Sequence, residues 1–158
     1  MTRIIAGEAR GRTIKVPAEG TRPTADRARE GLFSSLAARW GFAGSSVLDL
    51  FAGSGALGLE AASRGAEEIV LVESSADAVK IIRHNMGVVK HPGVRVQEMK
   101  VGTYLASAPR KHFDLVLADP PYAFDEVDEL IAAIEPVLTD RAMVVIERHV
   151  DSADTVWP

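Results

Sequence analysis

Two short stretches of the sequence combine a carboxylate with glycine or proline in patterns that can do chemistry. In the first, Asp49 precedes a glycine turn with the spacing Gly53-x-Gly55-x-x-Gly58. The second is Asp119-Pro120-Pro121-Tyr122, an acid followed by two prolines and an aromatic ring. A glycine turn between a strand and a helix presents backbone N–H groups to a ligand. A carboxylate beside a fixed carbonyl can accept protons from an amine. These stretches therefore predict a ligand site and a place for a reacting amine.

The glycine turn alone matches the dinucleotide fingerprint, with Glu73 following about 20 residues later. Asp49 argues against a pyrophosphate, because a carboxylate at the strand end repels phosphate and attracts an ammonium group. S-adenosylmethionine carries an ammonium group and no phosphate, so we interpret the turn as a site for this cofactor. Glu73, at the end of the next strand, is expected to accept hydrogen bonds from the ribose hydroxyls. Asp49 could instead be a structural cap of the turn.

The motif at Asp119 suits the exocyclic amine of a nucleic-acid base, which is a weak nucleophile while it is conjugated with its ring. The Asp119 carboxylate and the Pro120 carbonyl could accept both amine protons and favour a more reactive nitrogen. Pro121 removes a further donor and fixes the backbone, and Tyr122 would stack on the base. The alternative is a simple Asp-Pro turn after a strand.

The composition excludes several classes of protein. Among the 158 residues, 47% are hydrophobic and 25% are charged, which is typical of a globular domain. The absence of cysteine excludes disulfides, a thiolate metal site and a cysteine nucleophile. The 4 histidines show no ligand spacing, so we expect no metal. Without a long apolar run or a signal-peptide pattern, we expect a cytoplasmic protein with no membrane contact. We also expect a monomer.

The charge is unevenly distributed along the chain. Residues 1–30 have a net charge of +3, whereas residues 111–158 have −8. Two β-prone runs around Gly7 and Gly11 predict a basic hairpin that could bind the phosphates of a polyanion. The alternative is an edge hairpin that its charges keep soluble. The predicted RNA-binding residues are Arg3, Arg10, Arg12, Lys15, Arg22, Arg27 and Arg29.

Alternating strand and helix patterns predict a Rossmann-like, doubly wound α/β fold with a mostly parallel sheet. Its site groups should lie at the carboxyl ends of the strands, with the fourth strand beside the first. We divide the chain into a basic extension, residues 1–20, and a catalytic domain, residues 21–158. The predicted strands are 47–51, 68–73, 94–98, 112–118 and 142–147, and the predicted helices are 27–40, 56–64, 76–89, 102–106 and 124–138.

The motifs quoted above, together with RIIAGEARGR and RPTADRAREGLFSSL near the start of the chain, resemble a known family. The glycine turn, Glu73 and DPPY resemble class I S-adenosylmethionine-dependent amino-methyltransferases. The two N-terminal motifs resemble the bacterial 16S rRNA guanine-N2 methyltransferases of the RsmD family. The resemblance implies methylation of one guanine amine, with an assembled or partly assembled 30S subunit as the substrate.

The resemblance also implies a role for individual residues. The segment from Thr24 to Arg29 would close over the cofactor or the substrate, and Asp119 to Tyr122 would hold a flipped guanine. Single-stranded RNA would suit this arrangement, because flipping costs less in an unpaired loop. The residues implied to bind the cofactor are Thr24, Asp49, Phe51, Gly53, Gly55, Glu73, Ser74 and Val101.

Two features depart from the family pattern. The acid that commonly follows the third strand is replaced by Met99-Lys100-Val101, so we expect backbone groups near Lys100 and Val101, or Glu98, to read the adenine. The class also ends in an antiparallel pair of strands, for which residues 150–158 leave little room, so these strands are expected to be missing.

Two other functions remain open at this stage. A DNA adenine-N6 methyltransferase would share DPPY, although 158 residues leave no room for a domain that reads DNA sequence. A non-catalytic RNA-binding assembly factor could keep the fold, although it would not need Asp119-Pro120-Pro121-Tyr122.

Overall fold

The computed structural model describes residues 1–16, 23–39, 41–121 and 126–147, and its centre is a parallel sheet of five strands. The three central strands are short and rich in Val, Leu and Ile, as expected where both faces of a parallel sheet are covered. The strands are β3 (Ser46–Leu50), β4 (Glu68–Glu73), β5 (Val94–Glu98), β6 (Phe113–Ala118) and β7 (Leu138–Ile146), preceded by a hairpin of β1 (Thr2–Arg3) and β2 (Thr13–Ile14).

In the described ranges, five helices connect and cover these strands. Ser75 caps the N-terminus of the third helix, where its side chain accepts a hydrogen bond from the Ala78 N–H. The helices are α1 (Pro23–Arg39), α2 (Ala56–Ser63), α3 (Ala76–Val89), α4 (Val101–Ser107) and α5 (Val127–Ile134), the last followed by a 3-10 turn, Glu135–Val137.

The strand order β5-β4-β3-β6-β7 confirms the predicted doubly wound sheet. The chain moves outward from β3 to β4 and β5, and then returns to place β6 on the other side of β3. Asp49 is opposite Leu71 on β4 and Leu117 on β6. The order therefore reverses between β3 and β6, which is where α/β sheets bind ligands outside the carboxyl ends of their strands.

Alternation along the strands divides the core into two layers. On one face, Val47, Leu71 and Leu117 pack with residues of α1, α2, α3 and the hairpin. On the other face, Leu48 and Val116 pack with residues of α4 and α5. Because successive side chains point to opposite faces, Asp49 lies on the first face, among buried apolar residues.

The N-terminal hairpin is held against α2 by buried polar groups. The carboxylate of Glu60, which is fully buried, accepts hydrogen bonds from Ile5 N (2.8 Å) and Ala6 N (3.1 Å) and pairs with Arg64 Nε (2.9 Å). The Ser63 hydroxyl donates to Ala6 O (2.6 Å) and accepts from Ala9 N (2.9 Å). The hairpin is therefore packed against the body of the protein along its length.

Gly7 allows the closest approach between the hairpin and α2. Its φ is +88°, and a Cβ built there would lie 1.8 Å from the Ser63 carbonyl oxygen. We expect Gly7→Ala to lower the unfolding free energy by at least about 2 kcal/mol, because the backbone must move and buried hydrogen bonds are lost. Urea unfolding will measure this change. Gly11→Ala is the matched control, since its φ is similar (+83°) but a Cβ there contacts nothing within 4 Å. An equal loss in the two variants would contradict the role of close approach.

Two predicted boundaries near Pro136, and the predicted start of α1, were wrong. Helix α5 ends at Ile134 instead of Leu138, and β7 begins at Leu138 instead of Ala142. Pro136 explains both differences, because proline lacks an N–H and clashes with the preceding helical turn. At the other end of the chain, α1 begins at Pro23, before the predicted Arg27, because proline is favoured in the first helical position.

Some expectations concern features that lie partly or wholly outside the described ranges. The predicted start of the fifth helix, at Phe124, falls within residues 122–125, and the last residues, 148–158, are also outside them. Of the helices in the described residues, none has the length and apolar character needed to cross a membrane. Within the same ranges, no group of three or more His, Asp or Glu side chains could hold a metal ion.

Candidate active site

Three carboxylates meet at the carboxyl edge of the sheet. Asp49 lies near the end of β3, Glu73 ends β4, and Asp119 follows β6. The N–H of Asp119 donates to the carbonyl of Leu50 (3.4 Å), so its backbone is adjacent to the end of β3. Both Asp119 and Glu73 contribute to the electrostatic field at Asp49. The two predicted motifs therefore share one site.

Asp49 is a fully buried acid with one unsatisfied oxygen. Its Oδ2 accepts a hydrogen bond from Gly58 N (2.9 Å), whereas the buried Oδ1 has no partner. Burial raises the pKa of Asp49 well above its usual value, and the nearby Asp119 and Glu73 charges raise it further. An ionised carboxylate in this position is costly unless a donor or a cation meets the second oxygen. This atom can serve as the acceptor for a cationic ligand.

The glycine turn has the backbone that its sequence predicts. Gly53 and Gly55 have φ angles of +59° and +81°, and Phe51 also lies in the left-handed region at +58°. Gly58 allows α2 to approach the sheet, because a Cβ there would lie 2.3 Å from a Leu71 methyl carbon and 3.1 Å from Asp49 Oδ2. The third glycine of the spacing therefore keeps the Asp49 hydrogen bond in place.

Glu73 holds the turn as well as facing the cavity. Its Oε1 accepts from Gly53 N (2.8 Å), and its Oε2 accepts from Ser75 N (2.9 Å). Each carboxylate oxygen can accept a second hydrogen bond. Glu73 can thus fix the glycine turn and still accept from a ligand.

A cavity of about 650 Å³ lies between the carboxyl edge of the sheet, α4 and α5. Four of the predicted cofactor residues line it, and its apolar wall suits a flat ring. Lys100 also lines it, whereas Glu98 is not among its described lining residues. The described residues that form it include Phe51, Val72, Glu73, Ser74, Lys100, Val101, Leu105, Glu129 and Leu130. A larger, more open groove at the opposite edge of the sheet contains none of the predicted site residues.

Asp119 is exposed just after β6 and is not among the described residues that line the cavity beside α4 and α5. Loss of part of its hydration and, to a smaller extent, the charge of Glu147 just after β7 together raise its pKa to about 6. Glu147 is fixed there by its N–H, which donates to Ala118 O (2.9 Å). Pro120 is half-buried and Pro121 is exposed, while Tyr122 lies outside the described residues. An acid with a pKa near neutrality is suited to accept a proton.

Comparisons with known proteins agree with this geometry. A family model described as "Conserved hypothetical protein 95" matches residues 2–158. The "Ribosomal RNA small subunit methyltransferase D" of Escherichia coli K12 is 38% identical over 153 residues, which are 95% of this chain and 76% of that protein. Its Haemophilus influenzae counterpart of the same name is 34% identical over 155 residues, covering 94% and 79%. The chain belongs to the RsmD methyltransferase family.

A solved structure of the RsmD family has the same architecture. It is described as "Putative methyltransferase yhhF from Escherichia coli", with a TM-score of 0.85 and 37% identity over 99% of this chain and 86% of that one. The sheet and the switch point are those of class I methyltransferases, as predicted.

The basic residues of this RsmD-family chain lie in different environments. Arg3, Arg10 and Lys15 are exposed on the hairpin. Arg12 Nη1 donates to the carbonyls of Val88 (3.2 Å) and Val89 (3.0 Å), so it caps the end of α3. Arg22 lies outside the described residues, and the backbones of Thr24 and Arg27 lie in α1.

Arg29 is buried and makes intramolecular hydrogen bonds. Its Nη2 donates to Thr2 Oγ1 and Arg3 O, each at 2.9 Å. Arg29 therefore joins α1 to the hairpin, whatever RNA contact it also makes. The role predicted for it stays a prediction.

The sequence analysis did not predict three buried polar residues that connect the hairpin with the glycine turn and with helices α2 and α3. They are Glu60, Ser63 and Asn85, all of which bind backbone groups far away in the sequence. A polar residue on the inner face of an amphipathic helix was the available signal: Asn85 and Ile82 are both fully buried on α3.

Proposed function

We propose that this protein transfers a methyl group from S-adenosylmethionine to the exocyclic N2 amine of a guanine in 16S rRNA. The observation that carries the proposal is the convergence of Asp49, Glu73 and Asp119 at one edge, with an unpartnered buried oxygen on Asp49. Like charges at close range favour binding of a cation. The amino-acid part of this cofactor supplies an ammonium group, and its sulfonium adds a second positive charge.

The cavity beside these carboxylates fits the rest of the cofactor. Asp49 Oδ1 would accept a hydrogen bond from the ammonium group, directly or through a water molecule. Glu73 would accept from the ribose hydroxyls while it holds Gly53. The apolar wall around Phe51 and Val101 would contact the adenine, with backbone groups near Lys100 at its edge. Bound there, S-adenosylmethionine would supply an electrophilic methyl group.

Asp119 would orient the base amine toward that methyl group. Its carboxylate accepts one amine N–H and the Pro120 carbonyl accepts the other, which directs the nitrogen lone pair toward the methyl carbon. Methylation would leave the amine nitrogen positively charged. Asp119 then takes one proton, which restores a neutral amine. Tyr122 would stack on the base.

Support for an rRNA substrate comes from the relatives and from the hairpin. The proteins named above are rRNA methyltransferases of the small subunit. Exposed Arg3, Arg10 and Lys15 offer a basic surface for phosphates, and the carboxylate edge of the sheet could accept a flipped base. We propose an assembled or partly assembled 30S subunit as the substrate, which places the protein in the cytoplasm.

The decisive experiment is a transfer assay with labelled S-adenosylmethionine. Unmodified 30S subunits, naked 16S rRNA and duplex DNA are compared, and mass mapping identifies the methylated base. We expect label on guanine N2 of 16S rRNA. Label in DNA alone would favour the adenine-N6 alternative, and binding of RNA without transfer would favour an assembly factor.

The pH dependence of transfer depends on the protonation of Asp119. The carboxylate accepts a proton only when ionised, so activity should fall as the pH drops through its pKa, which is about 6 in the protein alone. A bound cation lowers this pKa. The low-pH side of the rate profile (the acid limb), measured at saturating cofactor, should therefore lie at or below pH 6. Glu147→Gln removes a charge that raises the pKa and should move the limb to lower pH.

Asp140→Asn is the matched control for Glu147→Gln, because it removes the same charge from the opposite end of β7. It should leave the acid limb unchanged. Initial rates at saturating RNA are measured from pH 4.5 to pH 8 for the wild type and both variants. A limb that Glu147→Gln does not move would show that another group controls it.

A further inference from the structure

One buried amide joins the hairpin to the glycine turn. Asn85, on α3, is fully buried and uses both ends of its side chain. Its Oδ1 accepts from Lys15 N (2.8 Å), and its Nδ2 donates to Lys15 O (2.8 Å) and to Ser54 O (2.9 Å). Lys15 follows β2 of the hairpin, and Ser54 lies between the two glycines of the turn. A single side chain therefore contacts both predicted binding elements.

The other polar contacts of the hairpin with α2 and α3 reach positions away from the turn. Ser63 binds Ala6 and Ala9 from the last residue of α2, and Arg12 binds carbonyls at the end of α3. Glu60 binds Ile5 and Ala6 one helical turn before Ser63. The hydrogen bonds of Asn85 connect the hairpin with Ser54, whereas these other contacts do not.

The chemistry of this site requires an amide. The two carbonyl oxygens need N–H donors, and the Lys15 N–H needs an acceptor, so the orientation of the Asn85 amide is fixed by its partners. A carboxylate of the same shape would place an oxygen against both carbonyls. The glycines on either side of Ser54 have little conformational preference of their own, so a hydrogen bond to the Ser54 carbonyl restricts the turn.

We propose that Asn85 is a positioning residue that couples RNA binding on the hairpin to cofactor binding at the glycine turn. The inference rests on the proposed function of these two elements. Each ligand orders one partner of the Asn85 amide, so each lowers the cost of ordering the other. Such coupling is reciprocal: the factor by which RNA tightens cofactor binding equals the factor by which the cofactor tightens RNA binding.

The first test compares Asn85→Asp with Ser63→Ala, which removes a buried contact of the hairpin away from the turn. S-adenosylhomocysteine is the cofactor probe in calorimetry, with and without unmodified 30S subunits as the RNA probe. We expect the wild type to bind the probe at least about fivefold more tightly with RNA present, and Asn85→Asp to lose this factor and to bind the probe more weakly alone. Ser63→Ala should keep its cofactor affinity within twofold of the wild type.

Three results would overturn the proposal. They are an unchanged cofactor affinity in folded Asn85→Asp, an equal loss in Ser63→Ala, and the absence of coupling in a wild type that binds both probes. A wild type that does not bind S-adenosylhomocysteine would instead refute the proposed cofactor, so the two failures are distinguishable.

A second test needs no variant, in case Asn85→Asp does not fold. Amide hydrogen exchange of the wild type reports on the Lys15 N–H, which donates to Asn85, and on the Ala9 N–H, which donates to Ser63. We expect S-adenosylhomocysteine to slow exchange at Lys15 by about threefold or more and to leave Ala9 unchanged. An unchanged Lys15 rate, or an equal change at Ala9, would contradict a specific link through Asn85.

Discussion

Asp119→Ala should lower the rate of methyl transfer by about 10²–10⁴-fold, the range for loss of a positioned acid–base group. The variant loses the acceptor that orients the amine and the group that takes its proton. Binding of S-adenosylhomocysteine should be retained within a few-fold, because Asp49, which would meet its ammonium group, is unchanged and Asp119 is only a minor contributor to the field there. RNA affinity should stay within a few-fold. Single-turnover rates with saturating RNA, together with calorimetry, separate these effects.

Asp140→Ala is the matched control for this truncation. Asp140 is an exposed acid on β7, at the end of the sheet opposite to Asp119, and its loss should leave the single-turnover rate unchanged. If Asp119→Ala kept more than about a tenth of the wild-type rate, the Asp119-Pro120 motif would be structural and the proposed transfer mechanism would be wrong.

Asp49→Asn should change ligand binding and stability in opposite directions. Losing the charge that meets the ammonium group should weaken cofactor binding by about 10²–10³-fold, as expected when one partner of a buried ion pair is removed. The protein without ligand should become more stable at neutral pH. An Asn can still accept the hydrogen bond from Gly58, and the cost of a buried carboxylate disappears.

The pH dependence of stability gives the sign of this effect. Since the folded protein raises the pKa of Asp49, the wild type loses stability as the pH rises from the unfolded value, near 4, through the raised value. Asp49→Asn lacks this loss, so the amount by which its Tm exceeds that of the wild type should be zero near pH 4 and should grow with pH. Each kcal/mol of unfolding free energy corresponds to roughly 2–4 °C in Tm. A Tm advantage that is the same at every pH would show that Asp49 is not a strained buried acid.

The sequence was sufficient to predict the sheet and the edge that carries the site. Apolar runs of strand length alternate with helical patterns, and right-handed parallel connections leave few possible strand orders. Because site groups in such sheets lie at the carboxyl ends of the strands, the positions of Asp49 and Asp119 followed from the order alone. The structure shows in addition that Asp49 Oδ1 has no hydrogen-bond partner. This depends on the surrounding packing and cannot be predicted from a local sequence pattern.

The roles of the arginines depend on distant parts of the chain. Arg12, which the sequence places in a basic hairpin, donates to carbonyls of residues 76 and 77 positions later. Asn85 reaches back 70 residues to Lys15. A charged or polar residue gives no local indication of such partners, so basic character near the start of the chain suggested a nucleic-acid contact or a solubilising edge, and not a contact with the end of α3. A local feature, Pro136, explains the wrong boundary of α5, and it could have been read from the sequence.

The partners of the N-terminal hairpin also determine when it can fold during translation. Residues 2–14 leave the ribosome before their hydrogen-bond partners between Glu60 and Val89, which are synthesised 54–77 residues later. At 5–20 residues per second this is a delay of several seconds. During that interval the basic segment lacks the surface of α2 and α3 on which it packs and is exposed to the RNA of the ribosome that makes it. A nascent chain released before α3 emerges should therefore keep this segment open to protease, whereas a chain that extends past α3 should protect it.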